Sequence, residues 1–136
     1  MWQRIQTLYL VLSILFLSLI PALQVNLAMA QPLFWGGIGL AGISVVLTVW
    51  GIFQFLNRKK QLSTVRIAAI VAFLAVGLSK VAYLITTPQV LWMNFIQNPA
   101  ILWGIGGAFL GFVFQLLALY AIRKDENLVR SMDRLR

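Results

Sequence analysis

The chain has 136 residues, of which 61% are hydrophobic and 10% charged, with a mean hydropathy of +0.90. Soluble domains are about 45–50% apolar and about 25% charged, so this composition excludes a soluble enzyme, a disulfide scaffold and a disordered chain. The net charge of +8 and a pI near 11.0 would suggest nucleic acid in a soluble protein. The placement of the basic residues points instead to a membrane, with no nucleic-acid partner. The chain contains no Cys and no His. That removes thiolate chemistry, imidazole bases and the usual zinc or haem ligands, and no metal or cofactor is expected.

Four apolar stretches are long enough to cross a hydrocarbon core of about 30 Å, which takes roughly 20 helical residues. They are predicted at about 5–27, 33–56, 67–87 and 101–122. Backbone polar groups in lipid must be satisfied within the segment, so each is predicted to be an α-helix. The alternating ten-residue segments of a membrane β-barrel are missing. The first stretch also imitates a secretory signal, with Arg4 before it and Ala28-Met29-Ala30 after it. Its apolar region is too long for a signal core and is interrupted by Pro21, so it is expected to be a retained helix.

Every Lys and Arg except Lys80 falls on one side of this arrangement. Arg4 precedes the first span, Arg58, Lys59, Lys60 and Arg66 join the second to the third, and Arg123, Lys124, Arg130, Arg134 and Arg136 follow the fourth. The other two connections, about 28–31 and 88–99, carry no charge. The positive-inside rule then puts both termini in the cytoplasm. Trp35, Trp92 and Trp103 flank the uncharged connections, where an outer aromatic belt would lie; Tyr9, Trp50 and Tyr120 fall nearer the inner ends. The expected fold is an all-α integral membrane protein: four transmembrane helices in residues 1–122, as two in-out-in hairpins, then a helical cytoplasmic tail, 123–136.

The halves resemble each other. Pro21 and Pro88 are 67 residues apart, as are Pro32 and Pro99, and each of the second pair precedes a Trp-Gly segment. The simpler explanation is that Pro and Trp recur wherever helices meet an interface. Glycine is concentrated in the outer halves of spans two and four. Gly107 and Gly111 form a GxxxG pair, and Gly37 with Ala41 is its small-residue analogue. Such spacing lets two backbones approach closely. It predicts that helices two and four pack on each other, with a homo-oligomer or partner-subunit face as the alternative.

Lys80 is the one ionisable residue inside a span. It lies about 20 Å along the helix from Ile67, at about 1.5 Å per residue, within reach of the outer interface by snorkelling. The acids, Asp125, Glu126 and Asp133, all lie near the C-terminus. Lys80 therefore has no carboxylate at its own depth, and backbone carbonyls, hydroxyls such as Tyr83, lipid phosphate, water or another protein's acid must satisfy it. Ser79 is its chain neighbour, while Ser13, Ser18 and Ser44 are the conceivable nucleophiles for a Ser–Lys pair; nothing in the spacing selects one. A proton-driven exporter of this size would need a membrane-embedded carboxylate, and no span contains one.

In the tail, Leu128, Met132 and Leu135 recur at helical spacing, and Glu126 stands four residues before Arg130 as a helix-supporting pair. Arg130, Asp133 and Arg134 are candidate contacts to anionic headgroups or to a cytoplasmic protein. Two stretches carry a family resemblance. Met1-Trp2-Gln3-Arg4-Ile5-Gln6-Thr7-Leu8-Tyr9-Leu10 and Ile122-Arg123-Lys124-Asp125-Glu126-Asn127-Leu128-Val129-Arg130-Ser131-Met132-Asp133-Arg134-Leu135-Arg136 resemble the two ends of an uncharacterised four-pass membrane family of Bacteroidetes-type bacteria, the domain of unknown function numbered four-two-nine-three. Trp2 departs from that pattern, which has a smaller apolar residue there. The resemblance implies a bacterial inner-membrane protein and assigns no catalytic residue. The expected function is a non-catalytic membrane subunit or scaffold, in contact with the lipid bilayer and with a membrane or cytoplasmic protein. The alternative is a small transporter or channel for an anionic or lipid-like substrate with Lys80 in its pathway; a membrane enzyme ranks third.

Overall fold

The computed structural model describes residues 2–28, 32–86 and 99–133. They form four helices: α1 (Trp2–Ala28), α2 (Pro32–Phe53), α3 (Arg58–Thr86) and α4 (Pro99–Asp133). No strand occurs among the described residues. Pro32 and Pro99 open α2 and α4, positions where the missing N–H costs nothing and the fixed φ suits a helix. The helix α1 runs continuously through Pro21. Both uncharged connections, with Met29, Ala30, Pro88 and Trp92, lie outside the described residues.

Two boundaries depart from the sequence reading. The helix α3 begins at Arg58 rather than near Ile67, so Lys59, Lys60 and Arg66 are helical. The connection before it shrinks to a tight turn, in which Asn57 N–H donates to the Gln54 carbonyl at 2.9 Å. Asn57 caps the new helix: its Oδ1 accepts from Lys60 N–H at 3.3 Å and its carbonyl from Gln61 N–H at 2.9 Å. Across the turn, Thr64 Oγ1 donates to Gln54 Oε1 at 2.9 Å. At the other end of the chain there is no boundary at Ile122: the helical tail expected there is continuous with the fourth span, and α4 runs unbroken to Asp133. The physical reason is the same in both places. An apolar window measures how much of a helix suits lipid, whereas the helix itself extends as far as its caps and backbone bonds allow.

The helices form a closed ring in which α1 packs on α2 and α4, and α3 packs on α2 and α4. The α1–α4 and α2–α3 interfaces are the extensive ones, and α2 and α4 stand diagonally across the ring. This corrects the expected α2–α4 glycine interface. A β-carbon on Gly37 would overlap Ser79 Oγ of α3, and one on Gly111 would lie 2.8 Å from Leu17 Cγ and 3.2 Å from its backbone N on α1. Each glycine therefore admits a neighbouring helix, not the diagonal one. Gly107 is buried as well. The motif shows that backbones approach closely, while the partner depends on which way the helix is turned in the ring.

The interior is built from small and polar side chains. Ala41, Ala72, Ala75 and Ala108 pack around Leu17, and Leu10, Val65, Ala118 and Ile122 form a second cluster. Buried among them are Gln6, Ser13, Ser44, Thr48, Gln61, Ser79 and Gln115. Large apolar side chains such as Leu15, Val46, Trp50, Ile70, Phe73 and Phe109 face outward. A water-soluble bundle would reverse this distribution. It suits a surrounding solvent that is itself apolar, in which close packing of small residues holds the helices together. Three helices are long and apolar enough to cross a membrane, over Trp35–Phe53, Arg58–Ala82 and Gly106–Ser131; the described apolar stretch of α1, Ile5–Ser18, is shorter.

Candidate functional site at the basic end of the bundle

The α2–α3 turn and the last three turns of α4 lie side by side at one end of the ring. Arg58 Nη1 approaches Asp125 Oδ2 at 3.0 Å, without an N–H aligned on that oxygen, and also donates to the Asp125 carbonyl at 3.5 Å. Asp125 is mostly buried, its side chain 15% exposed, so the ion pair braces α4 against the start of α3. One turn later, Arg130 Nη2 donates to Glu126 Oε1 at 2.7 Å, the helix-supporting pair expected from the spacing. Between the turn and α4 lies a cleft of about 510 Å³, bordered by Asn57, Lys59, Val129 and Arg130. A second depression of about 450 Å³, bordered by Tyr120, Arg123 and Leu128, lies on another side of α4. Leu128 is 45% exposed and Arg123 and Asn127 are exposed. This end of the molecule is thus a braced platform with cations around an uncovered leucine. Together these features can bind a surface of mixed charge.

The polar residues in the ring interior make a second constellation, which the sequence reading missed. Gln115 of α4 is fully buried, and its Nε2 donates across the diagonal to Thr48 Oγ1 at 2.8 Å and Ser44 Oγ at 3.1 Å. Both hydroxyls give their own protons to carbonyls: Ser44 to Ala68 at 2.9 Å, and Thr48 to Ser44 at 2.7 Å. They can then only accept, which fixes the amide with its nitrogen toward them. Gln115 Oε1 is left buried without a partner among the described residues, as are Ser13 Oγ and Ser79 Oγ. At the basic end, buried Gln6 Nε2 donates to the Ala121 carbonyl at 3.3 Å, joining α1 to α4. The signal for these residues was available: a glutamine in an otherwise apolar span is costly unless it faces the bundle interior.

Thr48 and Gln115 are 67 residues apart, as are Arg58 and Asp125. This is the spacing that relates the prolines. Positions equivalent under a two-fold operation meet only near its axis, so these contacts and the matched interfaces have the geometry of two like halves packed around a common axis.

Lys80 is exposed on the outside of α3, whereas its neighbour Ser79 is buried. Ser13 and Ser44 are fully buried, so the interior serines and Lys80 are not brought together. Ser18 Oγ donates to the Leu15 carbonyl at 2.8 Å. The side chains of Tyr83 and Asp133, and Arg134 as a whole, lie outside the described residues.

A family model described as Domain of unknown function (DUF4293) matches residues 22–135. The chain belongs to that family. Of the two stretches that carried the resemblance, the DUF4293 match contains the ending up to Leu135 and leaves out Met1 to Leu10. The braced platform and Gln115 with its hydroxyl partners both lie inside the DUF4293 region. No curated protein and no solved structure matches the chain.

Proposed function

We propose that this protein is a non-catalytic subunit or scaffold of a bacterial inner membrane, crossing it four times as two in-out-in hairpins with both termini in the cytoplasm. The observation that carries the reading is the continuation of α4 well beyond its apolar part, braced by Arg58–Asp125 and bearing the uncovered Leu128. A free segment of about a dozen residues is marginal as a helix in water. Here the brace holds it to the bundle, as a presented surface requires. The residues from Arg123 to Arg136 have five cations and three acids, which weakens attraction to anionic lipid and suits a protein face where both signs are matched. The confinement of every basic residue except Lys80 to one end supports the orientation, and the outward-facing Trp35, Trp50 and Tyr120 suit the two membrane interfaces. Lys80 is exposed on the outer face of α3, which supports the subunit reading over a pathway through the ring.

A photoreactive amino acid at Leu128, activated in native membranes, tests this reading. The expected result is a discrete protein adduct that disappears when Arg130 is changed to Glu. Adducts to lipid alone would overturn the subunit role.

A further inference from the structure

A groove of about 600 Å³ enters the bundle at its basic end, between α1 and the α2–α3 turn. Leu8, Val11 and Leu12 of α1 wall it with Ile52 and Phe55, and Arg58 lies at its rim. Leu8, Val11 and Phe55 are also part of the exposed apolar exterior, so the groove is continuous with the surface that faces hydrocarbon. Gln6, Thr7 and Gln61 complete the lining, and the apolar wall that remains matches an acyl chain better than it matches water. At the rim the chemistry changes. Arg58 has five N–H donors, and its Nη1 is held by Asp125, which sets the position of the guanidinium. Asp125 offsets that positive charge, while Lys59, which borders the neighbouring cleft toward α4, and Lys60 are exposed in the same helical turn and add an excess of positive charge around the groove rather than in its lining. None of the residues lining the groove is acidic.

We propose that the groove is a binding site for one anionic phospholipid of the surrounding leaflet. One acyl chain lies along Leu8, Val11, Ile52 and Phe55, and the headgroup phosphate is held at Arg58 with Lys59 and Lys60 nearby. A guanidinium suits phosphate because its planar donors match two oxygens at once. A zwitterionic headgroup places an ammonium at the same rim, where no lining carboxylate receives it. The site requires only that the protein lies in a bilayer, and does not depend on the partner of α4.

The full chain in mild detergent, titrated with dioleoyl phosphatidylglycerol or dioleoyl phosphatidylcholine and read by native mass spectrometry, tests the proposal. Phosphatidylglycerol should bind at least about fivefold more tightly, the ratio that each basic residue near an anionic headgroup supplies. Val11→Trp, and independently Leu8→Trp, fill the apolar wall from an exposed position and should lower phosphatidylglycerol occupancy at least severalfold with helix content unchanged. Changing Lys59 and Lys60 together to Gln should bring the two lipids toward equal affinity. Equal affinity in the unaltered protein, unchanged occupancy in a folded groove-filling variant, or a preference that survives the lysine changes would each overturn the assignment.

Discussion

Gln115 shows how a single side chain can be both well bonded and incompletely satisfied. Its two donors bridge to α2, while its carbonyl oxygen is buried without a partner among the described residues. Interhelical hydrogen bonds in membrane proteins average about 0.6 kcal/mol, so the two donors contribute little more than 1 kcal/mol. A buried unpaired acceptor costs about 1–3 kcal/mol. The two effects oppose each other, and Gln115→Leu, similar in volume, should leave unfolding stability in detergent within about 2 kcal/mol of the unaltered protein, with any change toward greater stability. A loss above about 2 kcal/mol would mean that Oε1 is engaged in the native protein. At this scale the sequence marked Lys80 more strongly than Gln115, because full charge stands out in an apolar span. The structure reverses their places, with Gln115 at the centre of the ring and Lys80 outside it.

Among the elements, the end of α4 depends on a contact remote in sequence. Arg58 and Asp125 are 67 residues apart, and their side chains are 31% and 15% exposed. This is partial burial, so a modest contribution is expected, smaller than that of a fully buried pair. The prediction therefore concerns local order more than global stability. With a spin label on Leu128→Cys, Asp125→Ala should make the label markedly more mobile while the melting temperature of the bundle changes little. An unchanged label spectrum would show that α4 holds its direction without the brace. The Asn57 cap is a local device of the opposite kind, and its signature, an Asn just before a helix, was readable in the sequence. The residues that follow it, Arg58 to Gln61, are polar and read as a connection when only apolar windows are considered.

For the whole molecule, the decisive feature is an exterior richer in large apolar side chains than the interior. A chain arranged this way keeps its hydrophobic surface exposed only if lipid covers it. The orientation proposed within lipid rests on the charges, and the absence of native cysteine makes it directly measurable. Single cysteines at Ser63 and Ser131, both in exposed positions, should react with an impermeant thiol reagent only after the cells are opened. A cysteine at Asn94, in the second uncharged connection, should react in intact cells. Labelling of Ser131→Cys from outside would reverse the topology.

Composition by itself determined the all-helical class and the apolar surroundings, because both depend on quantities summed along the chain. The cost of unsatisfied backbone in lipid is a local property that needs no knowledge of which helices touch. The charge asymmetry was equally legible, since it counts residues between spans. What only the tertiary structure decided was every question of facing. Helical spacing put Gly37 beside Ala41 and Gly107 beside Gly111 on common faces, but did not reveal that Gly37 meets α3 and Gly111 meets α1. Nor could it pair Gln115 with Thr48, bring Asp125 against Arg58, or open a groove between α1 and the α2–α3 turn. The physical reason is that these apolar helices have wide, nearly uniform faces. Their rotation in the ring is then chosen by where small and polar side chains from different helices fit one another, a property that no single segment contains.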